Sequence, residues 1–315
     1  MNRIFSFKNA ITFILTIAML VGTLAFPTSA LTTADATDAT VTVRPSYSIT
    51  INEYDVYVAT RKSSKEELMR NGISEEEVHL VKSNAIEEEI TRLSKLSFEE
   101  LSSLGYNNDQ IEIIHNYNGE SIETNSTLRG IFADMTVSFY NVAASTTSLT
   151  LRAEWAWTDN PILAGEGIKD LVAIRWEGTN TASQPMNLAW NQSGSSCVVS
   201  YYSRGSNIYQ YSRTSAISTD DVYGHVYAKV PMSTGDANWV GDYYAKEGSL
   251  TVKVDRVGTG SIQEAAFVFA YGHTTVIVTP SLSLPLDFSI DFSFGTETMV
   301  EGYIRMDNRG NIIEY

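Results

Sequence analysis

Apolar and polar residues alternate through most of the chain beyond residue 128. Residues 133–139 form one such series, and residues 149–157 form another. Because successive side chains of a strand point to opposite faces, a period of two predicts β-strands with one buried face. Turn-forming residues separate these series at short intervals, as in antiparallel sheets. The alternation therefore predicts a mostly antiparallel β-sandwich over residues 128–315.

Other strand candidates follow at similar spacing. Ala265–Tyr271 is apolar on both faces and is predicted to be a central strand. No helix-length pattern lies between the candidates, which is evidence against a parallel sheet. The remaining candidates are residues 171–177, 197–202, 222–230, 250–257, 274–279, 299–306 and 312–315.

A helical pattern precedes the strands, and it occurs twice. Lys62–Gly72 and Lys95–Gly105 share six identical residues at matching positions. Each copy has a serine followed three residues later by glutamate, which predicts a capped helix start, and a glycine that predicts the helix end. Ser74 and Asn107 then predict the start of a second helix in each copy, with Glu77 and Gln110 three residues further on. We therefore predict a duplicated helix–turn–helix hairpin. In the first copy, the second helix is predicted to continue to about Lys95.

The N-terminus has the three parts of a secretory signal. Arg3 and Lys8 precede the apolar run Ala10–Phe26, and Pro27 and Ala30 follow it. The run is at the lower limit for a membrane-spanning helix, so cleavage is favoured over retention as an anchor. We predict cleavage after Ala30, a secreted protein, and no stable membrane span after processing.

These patterns divide the chain into five parts. We predict a signal peptide at residues 1–30, a leader with a possible strand at 31–59 and an acidic helical region at 60–118. A linker at 119–127 and the β-sandwich at 128–315 complete the chain. The predicted fold class is α+β, with the small helical region placed before the sandwich.

Charge and cysteine content exclude several classes of protein. The chain has 37 acidic and 22 basic residues and a net charge of −15, which becomes −17 without residues 1–30. Such a chain is not expected to bind nucleic acid or anionic lipid. Cys197 is the one cysteine, so no internal disulfide can form, and a buried apolar role is favoured for it.

The sequence lacks the common catalytic motifs. It contains no His-Glu-x-x-His, Gly-x-Ser-x-Gly, phosphate loop or calcium loop. We predict no cofactor and no metal site. The four histidines are scattered, and surface or hydrogen-bonded roles are favoured for them, although His225 and His273 could meet in the fold.

Strand carboxylates leave an enzymatic alternative open. Glu154, Glu177 and Glu264 lie on predicted strands beside aromatic residues, where burial could tune them for acid–base chemistry. A glycosidase-like extracellular hydrolase is therefore the alternative function.

Aromatic residues provide the stronger signal for binding. Trp155, Trp157 and Trp176 fall on apolar strand faces and are predicted to be core. Trp190 and Trp239 lie in polar, loop-like surroundings with amides nearby. Such tryptophans either close the ends of the sandwich or stack on a carbohydrate, so they are the candidate ligand-binding residues.

A long alternating stretch near the C-terminus supports a third function. Residues 282–294 have seven apolar positions at a period of two. The pattern suits a membrane-inserting hairpin of a pore-forming toxin-like protein. It suits equally a soluble strand on the sandwich core, with Pro285 at a sheet edge, and this interpretation is favoured.

Three segments resemble parts of uncharacterised exported proteins of Gram-positive bacteria. They are Leu104-Gly105-Tyr106-x-x-x-Gln110-Ile111, the alternating segment Thr147–Trp157, and Tyr271-Gly272-His273-Thr274. The resemblance implies export and a two-part architecture, and it transfers no activity or functional residue.

The absence of a catalytic motif and the abundance of aromatic residues together predict a secreted, non-catalytic protein. Its expected partner is a polysaccharide or another component of the cell envelope.

Overall fold

The computed structural model describes residues 45–70, 75, 78–79, 82–161, 169–234, 243–276, 281–284, 288–291 and 295–314. Pro45–Tyr315 form one compact unit. The α-helices with described bounds are α1 (Glu53–Lys62), α2 (Lys65–Arg70), α3 (Ala85–Leu93), α4 (Phe98–Ser103) and α5 (Asn108–His115). Two short 3-10 helices cover Ser126–Ile131 and Gln192–Gly194.

Strands make up most of the remaining structure. In chain order they are β1 (Tyr47–Asn52), β2 (Asp134–Ala144), β3 (Ser148–Trp157), β4 (Lys169–Asn180), β5 (Pro185–Met186), β6 (Leu188–Trp190), β7 (Ser196–Ser203), β8 (Tyr209–Ser215), β9 (Ile217–Ser218), β10 (His225–Pro231), β11 (Ser233–Thr234), β12 (Tyr243–Arg256), β13 (Ile262–Val276), β14 (Ser281–Leu284), β15 (Phe288–Asp291), β16 (Gly295–Asp307) and β17 (Ile312–Glu314).

The strands form two large antiparallel sheets. The first sheet has the order β1-β2-β3-β12-β7-β8, and β6 and β11 also pair with β12. The second sheet has the order β17-β16-β13-β4-β10-β9, and β5 pairs with β4. The predicted class of a mostly antiparallel β structure with few helices is confirmed.

Period-two alternation determines which side chains are buried. Met135, Val137 and Phe139 of β2 are fully buried, whereas the residues between them are partly exposed. Buried residues from both sheets form one hydrophobic cluster, in which the Phe139 and Phe269 rings meet at 5.8 Å. Each large apolar side chain buried in this way contributes about 1.5–3 kcal/mol. The predicted core positions of Trp155, Trp157 and Trp176 are confirmed by exposures of 1, 1 and 2%.

Local capping signals start the helices where the sequence predicts. Ser97 and Glu100 form a reciprocal capping box at α4. Ser64 and Glu67 exchange the same pair of bonds before α2. Asn107 caps α5 in the same way, which satisfies N–H groups that would otherwise lack partners.

The first copy of the predicted hairpin is described only in part. Gly72 and Ser74 lie outside the described residues, so the duplication of the hairpin stays a prediction. The continuous helix predicted up to Lys95 is wrong, because a turn at Lys82–Asn84 precedes α3. The turn is held by Arg61, which donates to the Ser83 carbonyl oxygen and to the Glu87 carboxylate.

The prediction of a single strand through residues 281–294 is also wrong. Ser281–Leu284 and Phe288–Asp291 pair antiparallel with each other, so the chain reverses between them. The predicted position of Pro285 at a sheet edge lies outside the described residues. The two strands form a separate two-stranded sheet.

Two further observations concern the division of the chain. The predicted leader residues 47–52 form β1, which pairs with β2 of the first sheet. The predicted boundaries at residues 60, 118 and 128 stay predictions. In the part of the chain that the structure describes, no helix is both long and apolar enough to cross a membrane.

The Gly105 turn gives a direct test of helix packing. Gly105 has φ +96°, and a Cβ there would lie 3.0 Å from the Arg204 carbonyl oxygen. We expect Gly105→Ala to lower the free energy of unfolding by more than about 1–2 kcal/mol, because backbone strain and a clash add together. Urea denaturation measures this loss.

Gly119→Ala is the matched control for backbone strain. Gly119 has φ +88°, and nothing lies within 4 Å of its added Cβ. The control should therefore show the strain without the clash. Equal losses for the two variants would contradict the close packing of Gly105 on Arg204.

Candidate functional site

Tyrosines of β7, β8 and β12 gather at one end of the first sheet. Strand pairing places Tyr202 opposite Tyr209 on β8 and opposite Tyr244 on β12. An extra residue in β8, Gln210, shifts the pairing, so Tyr211 lies against Tyr201 whereas Tyr209 lies against Tyr202 on the other face. Tyr201 is buried in the core and Tyr211 packs against it, whereas Tyr209 is 50% exposed.

The exposed part of this cluster combines rings with polar groups. We call it the tyrosine patch, and it consists of Tyr202, Asn207, Tyr209, Lys246 and Glu247. The two rings meet edge to face, with centroids 5.7 Å apart. The Lys246 ammonium lies 5.4 Å from the centroid of the Tyr202 ring, within the range of a cation–π contact.

Hydrogen bonds hold the polar groups of the patch in place. The Tyr202 hydroxyl donates to Glu247 Oε2 over 3.0 Å, and Lys246 Nζ donates to Asn207 Oδ1 over 2.9 Å. Burial and the adjacent Glu247 carboxylate raise the pKa of Tyr202, so its hydroxyl stays protonated. Burial lowers the pKa of Lys246, although Glu247 and Asp159 oppose this shift. The patch therefore presents ring faces beside fixed donors and acceptors.

Sequence reasoning missed the tyrosine patch. The available signal was the density of tyrosines, since four occur between residues 201 and 211. Alternation alone would place Tyr209 and Tyr211 on the same face, but the extra residue Gln210 in β8 puts them on opposite faces.

Trp190 lies in a short strand rather than in a loop. It belongs to β6 and pairs with Val254 of β12. Its indole N–H donates to Ser195 Oγ over 3.0 Å, and the half-buried ring packs against the core. These contacts agree with the alternative in which Trp190 packs over an end of the predicted sandwich. The ligand-binding role of Trp190 stays a prediction. Trp239 and the predicted cleavage site at Ala30 lie outside the described residues.

The three strand carboxylates do not come together. Glu154 is on the first sheet, whereas Glu177 and Glu264 are on the second. Each is paired with an arginine, at 3.0 Å for Arg152–Glu154, 2.6 Å for Arg175–Glu177 and 3.4 Å for Arg305–Glu264. Strand register places Glu177 and Glu264 as diagonal neighbours on the outer face. The structure thus gives no observation that favours the hydrolase alternative.

A buried charged network joins α1 to the second sheet. His273 Nδ1 lies 2.8 Å from Asp170 Oδ2, and its Nε2 lies 3.2 Å from Glu53 Oε1. The Tyr271 hydroxyl donates to the same Asp170 oxygen over 2.7 Å. All four side chains are at most 2% exposed. We call these four residues the His273 network.

The surroundings of His273 favour a charged imidazole. Both ring nitrogens face carboxylates, which accept but do not donate when ionised. Burial opposes the charge, but Asp170 and Glu53 outweigh it and raise the pKa of His273 to about 10. Removing one partner of such a buried set typically costs about 3–5 kcal/mol. Because the network is enclosed, its role is to hold α1 against the sheet rather than to meet a substrate.

His225 and His273 do not meet. His225 pairs with Arg175 near the middle of β4, whereas His273 contacts Asp170 at the start of that strand. His225 instead contacts Asp220. Among the described residues, no group of three or more histidines, cysteines or carboxylates is arranged to hold a metal ion.

Comparisons with known proteins leave the function open. No protein-family model and no curated protein matches the chain. Among solved structures, AvmM, which catalyses macrocyclization in alchivemycin A biosynthesis, matches at TM-score 0.26 and 10% identity, covering 54% of this chain and 87% of that one. A collagen-binding domain from a Staphylococcus aureus adhesin matches at TM-score 0.24 and 9% identity, covering 51% and 95%. A pore-forming protein matches at TM-score 0.24 and 9% identity, covering 58% and 90%. Likeness at these TM-scores carries no argument about function.

The raised pKa of His273 predicts how stability depends on pH. The folded protein holds this proton up to about pH 10, whereas an unfolded histidine releases it near about pH 6.5. The stabilisation is therefore complete below about pH 6.5 and is lost as pH rises through about 10. Between about pH 7 and 8.5 we expect the free energy of unfolding to fall by up to about 1.4 kcal/mol per pH unit.

Chemical denaturation across this pH window measures the effect. Burial raises the pKa of Cys197 to about 12. Cysteine in the unfolded chain ionises near about pH 8.5, so Cys197 lowers the free energy of unfolding further only above that pH. His273→Gln should abolish the slope, and His225→Gln should retain it, because burial lowers the pKa of His225 and its effect lies at acid pH. A flat profile for the unsubstituted protein would overturn the assignment.

Proposed function

We propose that this is an exported, non-catalytic binding protein that presents the tyrosine patch to a polysaccharide or another component of the cell envelope. The observation that carries the proposal is the half-exposed Tyr209 ring, set edge to face against Tyr202 beside charged and amide groups. Ring faces with nearby hydrogen-bonding groups match the alternating apolar and hydroxyl surfaces of sugars.

The proposed framework is a β-sandwich with a helical region at one end. Support comes from the shared hydrophobic cluster, to which both antiparallel sheets contribute. Further support comes from ring contacts between the sheets, such as Trp155–Tyr271 at 5.7 Å. In a sandwich, outer faces and edges remain available for a ligand.

Export is supported by the N-terminal sequence. Arg3 and Lys8, the apolar run Ala10–Phe26 and the small residue Ala30 form the expected signal pattern. The resemblance to exported proteins of Gram-positive bacteria points the same way. An acidic chain also suits a partner that is neutral or carries little negative charge.

Tyr209→Ala tests the binding proposal. Loss of a stacking ring is expected to weaken binding by about 1–1.5 kcal/mol, which is about tenfold. Retention on insoluble peptidoglycan, chitin and cellulose, measured over a range of protein concentrations, reports the change. Failure of the unsubstituted protein to bind any of the three would count against a polysaccharide ligand.

Two further variants locate the site. Tyr223 is 52% exposed and lies on the loop before β10, so Tyr223→Ala is a control for loss of an exposed tyrosine elsewhere. Trp190→Ala tests the residue that the sequence predicts. A loss of retention with Trp190→Ala alone would move the site from the tyrosine patch to β6.

The β14–β15 hairpin favours a second candidate function, membrane insertion. Its register pairs Leu282 with Ile290 and Leu284 with Phe288, so the apolar positions of the two strands match. Such a two-stranded unit is the element that a pore-forming protein would insert.

Dye release from liposomes separates the two candidates. We expect no release from zwitterionic or anionic vesicles, because a binding protein needs no membrane contact and the net charge disfavours anionic surfaces. Release that Leu282→Asp abolishes and Ser283→Asp retains would instead establish insertion of the hairpin, since successive residues of an inserted strand alternate between lipid and lumen.

A further inference from the structure

The edge strand β8 is the most open of the four edges of the two large sheets. Within the described ranges, β8 pairs with β7 alone. Most of its seven residues are exposed, and Ile208 just before it is 60% exposed. An edge strand carries unpaired backbone N–H and C=O groups that can template pairing with another chain.

The other three edges have features that discourage such pairing. β9 has two residues and β17 has three, which is too short for a stable ladder. β1 follows Pro45 directly upstream and continues into α1 at Glu53. Proline and chain reversal are common protections of an edge. Among the residues described, β8 is longer than β9 and β17 and contains no proline, and its bulge at Gln210 leaves residues 211–215 as a regular ladder.

The segment that contains β8 also differs from the rest of the chain in its lack of acidic residues. Ser196–Ser218 contain no aspartate or glutamate, although the chain has 37 acidic residues. The two charged residues in this stretch are Arg204 and Arg213. Two copies that meet at β8 therefore avoid the repulsion that a net charge of −15 would cause elsewhere on the surface.

We propose that β8 is the surface through which two copies of this chain form a symmetric dimer, with their β8 strands paired antiparallel. The occupant of the open edge is thus a second copy, joined by the two-fold arrangement that is commonest among homodimers. The first sheets of the two copies become one continuous sheet.

The sequence of β8 selects one register. In an antiparallel pair, residues directly opposite each other point to the same face. The two-fold axis that relates the two β8 strands must therefore lie midway between two copies of the same residue. The bulge at Gln210 leaves residues 211–215 as the regular part of β8. An axis at Ser212 places Tyr211 opposite Arg213 of the second copy, and such a pair contributes about 0.2–1 kcal/mol.

The neighbouring registers are less favourable. An axis at Arg213 would oppose the two Arg213 side chains, and like charges directly opposite each other destabilise a ladder. An axis at Tyr211 would leave Thr214 and Ser215 without partners within the strand. The ring contact of Arg213 with Tyr211 inside one copy, at 5.8 Å, shows that these two side chains are compatible neighbours.

The proposed dimer itself does not depend on the proposed function, but its effect on ligand binding does. With the axis at Ser212, the two Tyr209 residues lie about 20 Å apart along the paired strands. Both tyrosine patches then serve one linear polymer, which raises apparent affinity through effective concentration.

Charge substitutions at Ser212 test the dimer. Ser212 is exposed, and the axis brings its two copies together. Ser212→Glu and Ser212→Lys should each weaken dimerisation at least tenfold, because each places like charges opposite one another. An equimolar mixture of the two variants should restore the dimer. Sedimentation velocity, from low to high micromolar concentration, measures the dimer fraction of the unsubstituted protein, of each variant and of their mixture.

Ser48→Glu is the matched control. Ser48 lies on β1 at the other edge of the same sheet and bonds the Ser138 hydroxyl at 2.8 Å, much as Ser212 bonds Ser200 at 3.0 Å. The control should leave the dimer intact. A monomeric unsubstituted protein, an unaffected Ser212→Glu dimer or an equal effect of Ser48→Glu would each overturn the proposal. Glycan retention by monomeric Ser212→Glu reports the proposed function separately.

Discussion

Tyr271 is the residue at which the main parts of the structure meet. Its ring contacts Trp155 and Trp157 of the first sheet, at 5.7 and 5.9 Å between centroids. Its hydroxyl donates to Asp170, which in turn holds His273. Because His273 also contacts Glu53 at the start of α1, one set of buried contacts links both sheets to the first helix. A fully buried hydroxyl without such an acceptor would cost several kcal/mol, so packing and polar pairing depend on each other here.

The elements that sequence alone predicts are those determined by neighbouring residues. Period-two alternation identified β2 and β3, because a strand between core and solvent buries every second side chain. The capping boxes at Ser97 and Asn107 were equally predictable, since donor and acceptor lie three residues apart. In both cases the physical cause acts within one turn or one strand.

The features that sequence reasoning missed depend on distant residues or on register. Asp170 and His273 are 103 positions apart, and no local pattern marks them as partners. The position of Tyr209 beside Tyr202 depends on the extra residue Gln210 in β8, which a regular alternation does not reveal. Residues 281–291 have the alternation of one strand, yet they form two, because a turn can reverse the chain without altering the period.

A shared core determines where recognition can occur. Inward positions of both sheets are occupied by packing, and Glu154, Glu177 and Glu264 on the outer faces are engaged by arginines. The end of β8 differs, because among the described residues it combines a strand paired on one side with a half-exposed ring. Ligand binding at Tyr209 and dimer pairing through Ser212 would then use the same seven-residue strand. Thermodynamic linkage requires that a polymer spanning both patches stabilise the dimer by the same free energy that the dimer adds to binding.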